Sequence, residues 1–254
     1  LGARTSSEPQ GFPLLLDQRR REDNAGGSMT TSLTARARLD TGALLLTPED
    51  AMAVPCTGDL DLAFGPDLVP ERVRDLVRAL DAAGLLDKER PFGAVSFAPG
   101  QRFFEYMAFT GCAVQFGSAA TDTPALSITI EGPFDRPRLR YGSNSRAPRC
   151  PACRQPLSSW QAQCFGSLGT GTDRDLVLSC SSCGSQAAAQ DWSWGRHAGV
   201  GRIFIAIRPV FPGEGRPLPA LLSLLEHRAC RPDASPPSPV APWRYFYLQG
   251  EHSL

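Results

Sequence analysis

A chain of 254 residues, 42% hydrophobic and 20% charged, has a globular composition and length for one principal domain with a small appendage. Its 26 Lys and Arg balance its 26 Asp and Glu, which argues against a general polyanion binder or a polybasic membrane-surface protein while leaving room for a local basic patch. No run approaches the roughly 18–20 apolar residues that span a bilayer, so a soluble, cytoplasmic protein without membrane association is expected, and its eight cysteines are read in a reducing setting.

Residues 1–40 are expected to form a disordered extension; the first 28 are polar, rich in Gly, Ser and Arg, and show no hydrophobic period. The segment 59–64, Asp-Leu-Asp-Leu-Ala-Phe, alternates as a strand does. Pro70 then suits a first helical turn. Val73, Leu76, Val77 and Leu80 form one apolar stripe at helical spacing, and Gly84 suits the helix end. Extended segments are predicted at Ala94–Phe97, Phe103–Phe109, Ala113–Phe116, Leu126–Ile130 and Arg138–Tyr141, punctuated by Gly, Pro and Asp.

Two Cys-x-x-Cys pairs follow, Cys150/Cys153 and Cys180/Cys183, with 26 residues between them. Each such turn delivers two sulfurs with little strain, and two turns complete the tetrahedral tetrathiolate that zinc prefers. Gly184 can take the positive φ that a sulfur-cradling turn needs, and residues 175–179 read as the strand leading into the second pair. Two disulfides would call for export, and a thioredoxin-type centre has no use for a second pair. One structural zinc is therefore expected. With four thiolates the shell is closed, which leaves no position for a reactive water. Cys56, Cys112, Cys164 and Cys230 are read as ordinary buried thiols.

The cysteine pairs resemble the zinc-ribbon family over about residues 148–195, with a gap longer than the usual ~15–20 residues. That excess is assigned to a loop in the glycine-rich stretch 166–175. Beyond the pairs, Arg-Ala-Pro-Arg-Cys-Pro-Ala-Cys at 146–153, the tryptophans after the second pair, Gly-Arg-Ile-Phe-Ile-Ala-Ile-Arg-Pro-Val-Phe at 201–211 and Trp-Arg-Tyr-Phe-Tyr at 243–247 resemble a set of uncharacterised bacterial, mainly proteobacterial, zinc-ribbon proteins. Some of these carry a sugar-transporter ATPase label, but the phosphate loop and its lysine are absent from this chain. The resemblance implies no mechanism.

After the cysteines, 202–211 is apolar on both faces, as in a central strand. Leu218, Leu221, Leu222 and Leu225 repeat at helical spacing, and 243–248 reads as an aromatic strand. Together these predict an α+β domain made of residues 41–145 and 197–254, a mixed sheet with about two helices on one face. Residues 146–196 form the inserted zinc ribbon.

Two surface readings compete. Between Arg136 and Arg154 lie six arginines and no acid. With Trp192, Trp194 and Arg196 beyond the second pair, the residues Arg138, Arg140, Arg146, Arg149 and Arg154 could hold a nucleic acid by phosphate neutralisation and base stacking. Alternatively the arginines pair with the acidic stretch 40–90, eleven acids against five bases, and the tryptophans cover the ribbon. No phosphate loop, dinucleotide fingerprint, His-Glu-x-x-His or nucleophile elbow is present. The expectation is accordingly a non-catalytic zinc protein that binds or scaffolds a protein partner, with nucleic-acid binding as the alternative and an enzyme of unknown class as a second.

Overall fold

The computed structural model describes residues 41–55, 69–93, 96–110, 125–168, 176–226, 228–230, 242–250, 252 and 253. Among the expected elements, residues 1–40, the strands at 59–64 and Ala113–Phe116, and Cys56 and Cys112 lie outside them.

Strands are numbered in chain order. β1 is Gly42–Pro48, β2 Val54–Pro55, β3 Leu86–Gly93, β4 Ser96–Pro99 and β5 Met107–Phe109. β6 is Ser127–Glu131, β7 Arg138–Tyr141, β8 Val177–Ser179, β9 Gln186–Ala188 and β10 Ala198–Gly201. β11 is Phe204–Val210, β12 Gly215–Pro217, β13 Ala229–Cys230, β14 Trp243–Gln249 and β15 His252–Ser253. A six-stranded sheet in the order β14-β1-β11-β6-β4-β3 forms the centre, and β10-β7-β15 form a second sheet.

The α+β class stands, and every pairing among the described strands is antiparallel, where a mixed sheet was expected. The reason lies in β1, a strand the sequence reading passed over. It sits between β11 and β14 and is antiparallel to both. The strand–helix–strand unit of β11, helix Pro219–Glu226 and β14 is thus split, its two strands parallel but never in contact.

Alternation distributes the side chains of the sheet between two cores. Leu44, Leu46, Ile128, Ile130, Ile205 and Ile207 face one way and meet Val73, Leu76 and Leu80 of helix Val69–Ala82, together with Leu221 and Leu225 of helix Pro219–Glu226. These are the stripes the periodicity marked. Gly84 ends the first helix at φ 75°. Ala43, Leu45, Phe204, Ala206, Phe246 and Leu248 face the other way.

On that second face lies β10. Its Gly199 abuts the ring of Phe246 and its Gly201 abuts Thr47, where any Cβ would collide. The intervening Ala198 and Val200 point into a separate core with Leu139, Tyr141, Trp160, Trp192 and Trp194. One short strand thus has the main sheet on one side and the cysteine module on the other.

Two local expectations change. Phe103–Tyr106 is a helical turn, and only Met107–Phe109 is extended. Phe103 and Tyr106 bury themselves three residues apart, a helical spacing that a run of aromatics disguises. Helix Trp160–Leu168, also unforeseen, occupies part of the stretch assigned to a loop between the cysteine pairs.

Candidate metal centre

Each cysteine pair sits in a turn of the same construction. In the first, the Cys150 N–H donates to the Gln155 carbonyl at 2.9 Å, and the Arg154 N–H donates to the Cys150 carbonyl at 3.0 Å. In the second, Cys180 donates to Ser185 at 2.8 Å, and Gly184 donates to the Cys180 carbonyl at 2.9 Å. Both turns close through a residue at positive φ, Arg154 at 62° and Gly184 at 72°. β8 and β9 form the hairpin whose loop is the second turn, paired Val177 to Ala188 and Ser179 to Gln186.

Facing each other, the turns bring the four sulfurs within 4.8 Å of one another. The Sγ atoms of Cys150 and Cys183 are 3.8 Å apart, and those of Cys153 and Cys180 are 3.6 Å apart. These separations are far beyond a disulfide bond of ~2.05 Å. They suit a tetrahedron of sulfurs at ~2.3 Å from a central ion, whose edge is about 3.8 Å. The N–H groups of Cys183 and Ser182 pull the Cys180 thiol down to about 6. Cys183 is pushed up to about 12: the Ser185 N–H favours its thiolate, but the neighbouring sulfurs of Cys153, Cys180 and Cys150 outweigh it. The clustered sulfurs thus favour a thiolate at Cys180 and disfavour one at Cys183.

Helix Trp160–Leu168 braces the second turn through Gln163. Its side-chain amide accepts from the Ser179 N–H at 2.8 Å and donates to the Ser179 carbonyl at 3.0 Å. The residue before Cys180 is thereby held as if by a neighbouring strand. No spacing in the sequence signals this, because the amide reaches across 16 positions.

Trp192 and Trp194, read either as a stacking surface or as cover for the ribbon, are each 3% exposed. Their ring nitrogens donate to the carbonyls of Ala187 and Ala189 at 3.3 and 2.7 Å. Trp160 meets Trp194 edge-on at 5.3 Å, and Tyr141 meets Trp160 likewise at 5.5 Å. They form the core of the module, because a small β element can bury apolar surface chiefly with large rings. Cys164 lies in the same core, and burial raises its thiol to about 11.

The arginine stripe divides by strand parity. Leu139 and Tyr141 of β7 enter the module core, so Arg138 and Arg140 point to the opposite side. Arg138 stacks over Phe134 at 4.1 Å. Arg140, 12% exposed, pairs with Glu131, which also holds Arg208 at 2.8 Å. That carboxylate on β6 ties the second sheet to the first; the stretch 40–90 does not supply it. Asn144 adds a further tie, donating to the Tyr247 carbonyl and accepting from the Gln249 N–H, both at 3.0 Å, while also contacting His197 Nδ1 at 3.1 Å. Arg146, Arg149, Arg154 and Arg196 remain exposed.

No protein-family model, curated protein or solved structure matches this chain. Among the described residues no helix is long and apolar enough to cross a membrane.

Proposed function

We propose that the chain is a non-catalytic zinc protein in which Cys150, Cys153, Cys180 and Cys183 hold one structural Zn2+ in a zinc-ribbon-like module, and that this module serves to bind or scaffold a protein partner in a reducing, cytoplasmic setting. The observation that supports the metal is the convergence of the four sulfurs within 4.8 Å on two turns of matching backbone. A tetrathiolate set favours zinc or a single iron over harder ions. A closed shell of four thiolates has no open position, so the ion's contribution is to folding. The binding reading is supported by the placement of the module, which stands on β7 and β10 outside the main core.

Elemental analysis of protein purified without metal-affinity chromatography, with free thiols counted before and after chelation, tests the metal. One zinc per chain and four thiols released by the chelator is the expected result. Iron in its place, visible by its thiolate charge-transfer colour, would change the metal. No metal and no protected thiols would overturn the reading.

A further inference from the structure

The four sulfurs differ in access. Cys183 is exposed, as are Ser181, Ser182 and Gly184 beside it, and a Cβ built on Gly184 meets nothing within 4 Å. Cys153 is half-buried, whereas Cys150 and Cys180 are 0% and 3% exposed. Cys150, Cys153 and Cys180 pack with the module core, which leaves Cys183 as the one sulfur of the set outside it. Contacts between sulfurs run across the gap between the turns: Cys183 lies 3.8 Å from Cys150, and Cys153 lies 3.6 Å from Cys180. Each of these contacts joins a cysteine that solvent reaches to one that it does not.

A sulfur coordinated to zinc is deprotonated outright, so with the ion bound it is access that decides which of the four an oxidant meets first. That sulfur is Cys183. A cysteine oxidised to its sulfenic acid is resolved by a neighbouring thiol. Cys150 is in place for this, because closing its gap to Cys183 to the ~2.05 Å of a disulfide takes a shift of less than about 2 Å. Shielded from solvent, Cys150 escapes direct attack and is kept for the second step. In a reducing compartment such a bond is transient, the form that cytosolic disulfides usually take.

We propose that Cys183 and Cys150 form a peroxide-responsive pair that unloads the metal centre. The proposal rests on the four cysteines holding zinc. The Cys183 thiolate attacks one oxygen of hydrogen peroxide, the O–O bond breaks and hydroxide leaves, which gives the sulfenic acid. The Cys150 thiolate then attacks the Cys183 sulfur, the S–S bond forms and a second hydroxide leaves. Two electrons pass from the sulfurs to the peroxide. Cys153 and Cys180 are left as two ligands of four, too few to retain the zinc. The new bond joins the same two turns, so the metal goes while the turns stay tied. A thiol reductant reverses the oxidation by exchange and restores the full ligand set.

The test uses the full chain, first shown by metal count to carry zinc, with hydrogen peroxide added in small steps beside a chromophoric zinc indicator. Dimedone, which traps sulfenic acids, should mark Cys183 before any other of the four. Mass mapping after differential alkylation should show a Cys150–Cys183 disulfide, with about one zinc released for each such bond and taken up again after dithiothreitol. Cys183→His removes the entry sulfur and keeps three cysteines and one histidine, a set that zinc accepts; peroxide should release its zinc about tenfold more slowly. The trapping and the disulfide map on the parent decide the matter whether or not that variant loads. A first disulfide within a turn, Cys150–Cys153 or Cys180–Cys183, would overturn the proposal. So would first trapping at another of the four, zinc retained in excess peroxide, or release from the loaded Cys183→His variant at the parent's rate. None of these outcomes bears on the zinc reading, which the metal count decides before peroxide is added.

Discussion

The matching backbone of the two cysteine turns allows a reciprocal substitution. Arg154 and Gly184 hold the same place in the two turns, at φ 62° and 72°. A non-glycine residue in the left-handed region costs about 1–2 kcal/mol. A glycine costs about 0.4–1 kcal/mol through the greater freedom of the unfolded chain. A Cβ built on Gly184 meets nothing within 4 Å, so Gly184→Ala introduces no clash and leaves the backbone term alone. The balance is a loss of about 0.5–1 kcal/mol for Gly184→Ala and a similar gain for Arg154→Gly. If the module holds the proposed zinc, metal binding and folding form one equilibrium, and these changes should read out as roughly two- to five-fold shifts in zinc affinity, in opposite directions. Competition against a chromophoric chelator reads both, and the double variant should fall within about 0.5 kcal/mol of the parent. A loss above about 3 kcal/mol for Gly184→Ala would refute the reasoning, since it would require a steric contact. Weaker metal binding by Arg154→Gly would refute it too, by showing that the Arg154 side chain contributes more than its backbone costs.

Replacing Cys150 with Ser should abolish amide protection in β8 and β9 while β1 and β11 stay protected, because these strands belong to different cores. Native-state hydrogen exchange showing all of them opening together would contradict that separation. Gly199→Ala forces a methyl group into the Phe246 ring and should destabilise the protein by about 3 kcal/mol in urea unfolding, a loss that Phe246→Leu in the same chain partly restores. Unchanged stability would mean that β10 does not lie against the main sheet as described. Cys164, its thiol raised to about 11, should resist alkylation at pH 8 in the native chain and react once the chain is unfolded, as mass mapping of the modified residue would show. The folded state favours the protonated thiol. Its stabilisation is therefore complete below the ordinary thiol value near 9 and is lost as the pH rises toward 11. Rapid labelling of Cys164 in the native state at pH 8 would sink that account.

Much of the scaffold and the cysteine set were legible because they rest on local rules. The stripes Val73–Leu80 and Leu218–Leu225 follow helical period, and Arg138–Tyr141 and β14 follow strand period. The Cys-x-x-Cys spacing identified the four sulfurs, since a turn of that length presents both thiols on one side wherever it occurs. β1 escaped because it is buried on both faces and shows no alternation, and Phe103–Tyr106 because aromatic residues suit either period. Only the tertiary structure decided the rest. Whether a tryptophan stacks on a ligand or fills a core depends on what lies over it, and Trp160 closes over Trp194 while Tyr141 meets Trp160, from distant parts of the chain. Whether an arginine is available depends on strand parity and on a distant carboxylate, Glu131 for Arg140. Sequence alone determined which residues could form the metal centre, because its chemistry is encoded in residue type and short spacing. Tertiary structure decided which surface that centre presents, because burial and charge pairing are set by contacts between residues far apart in the chain.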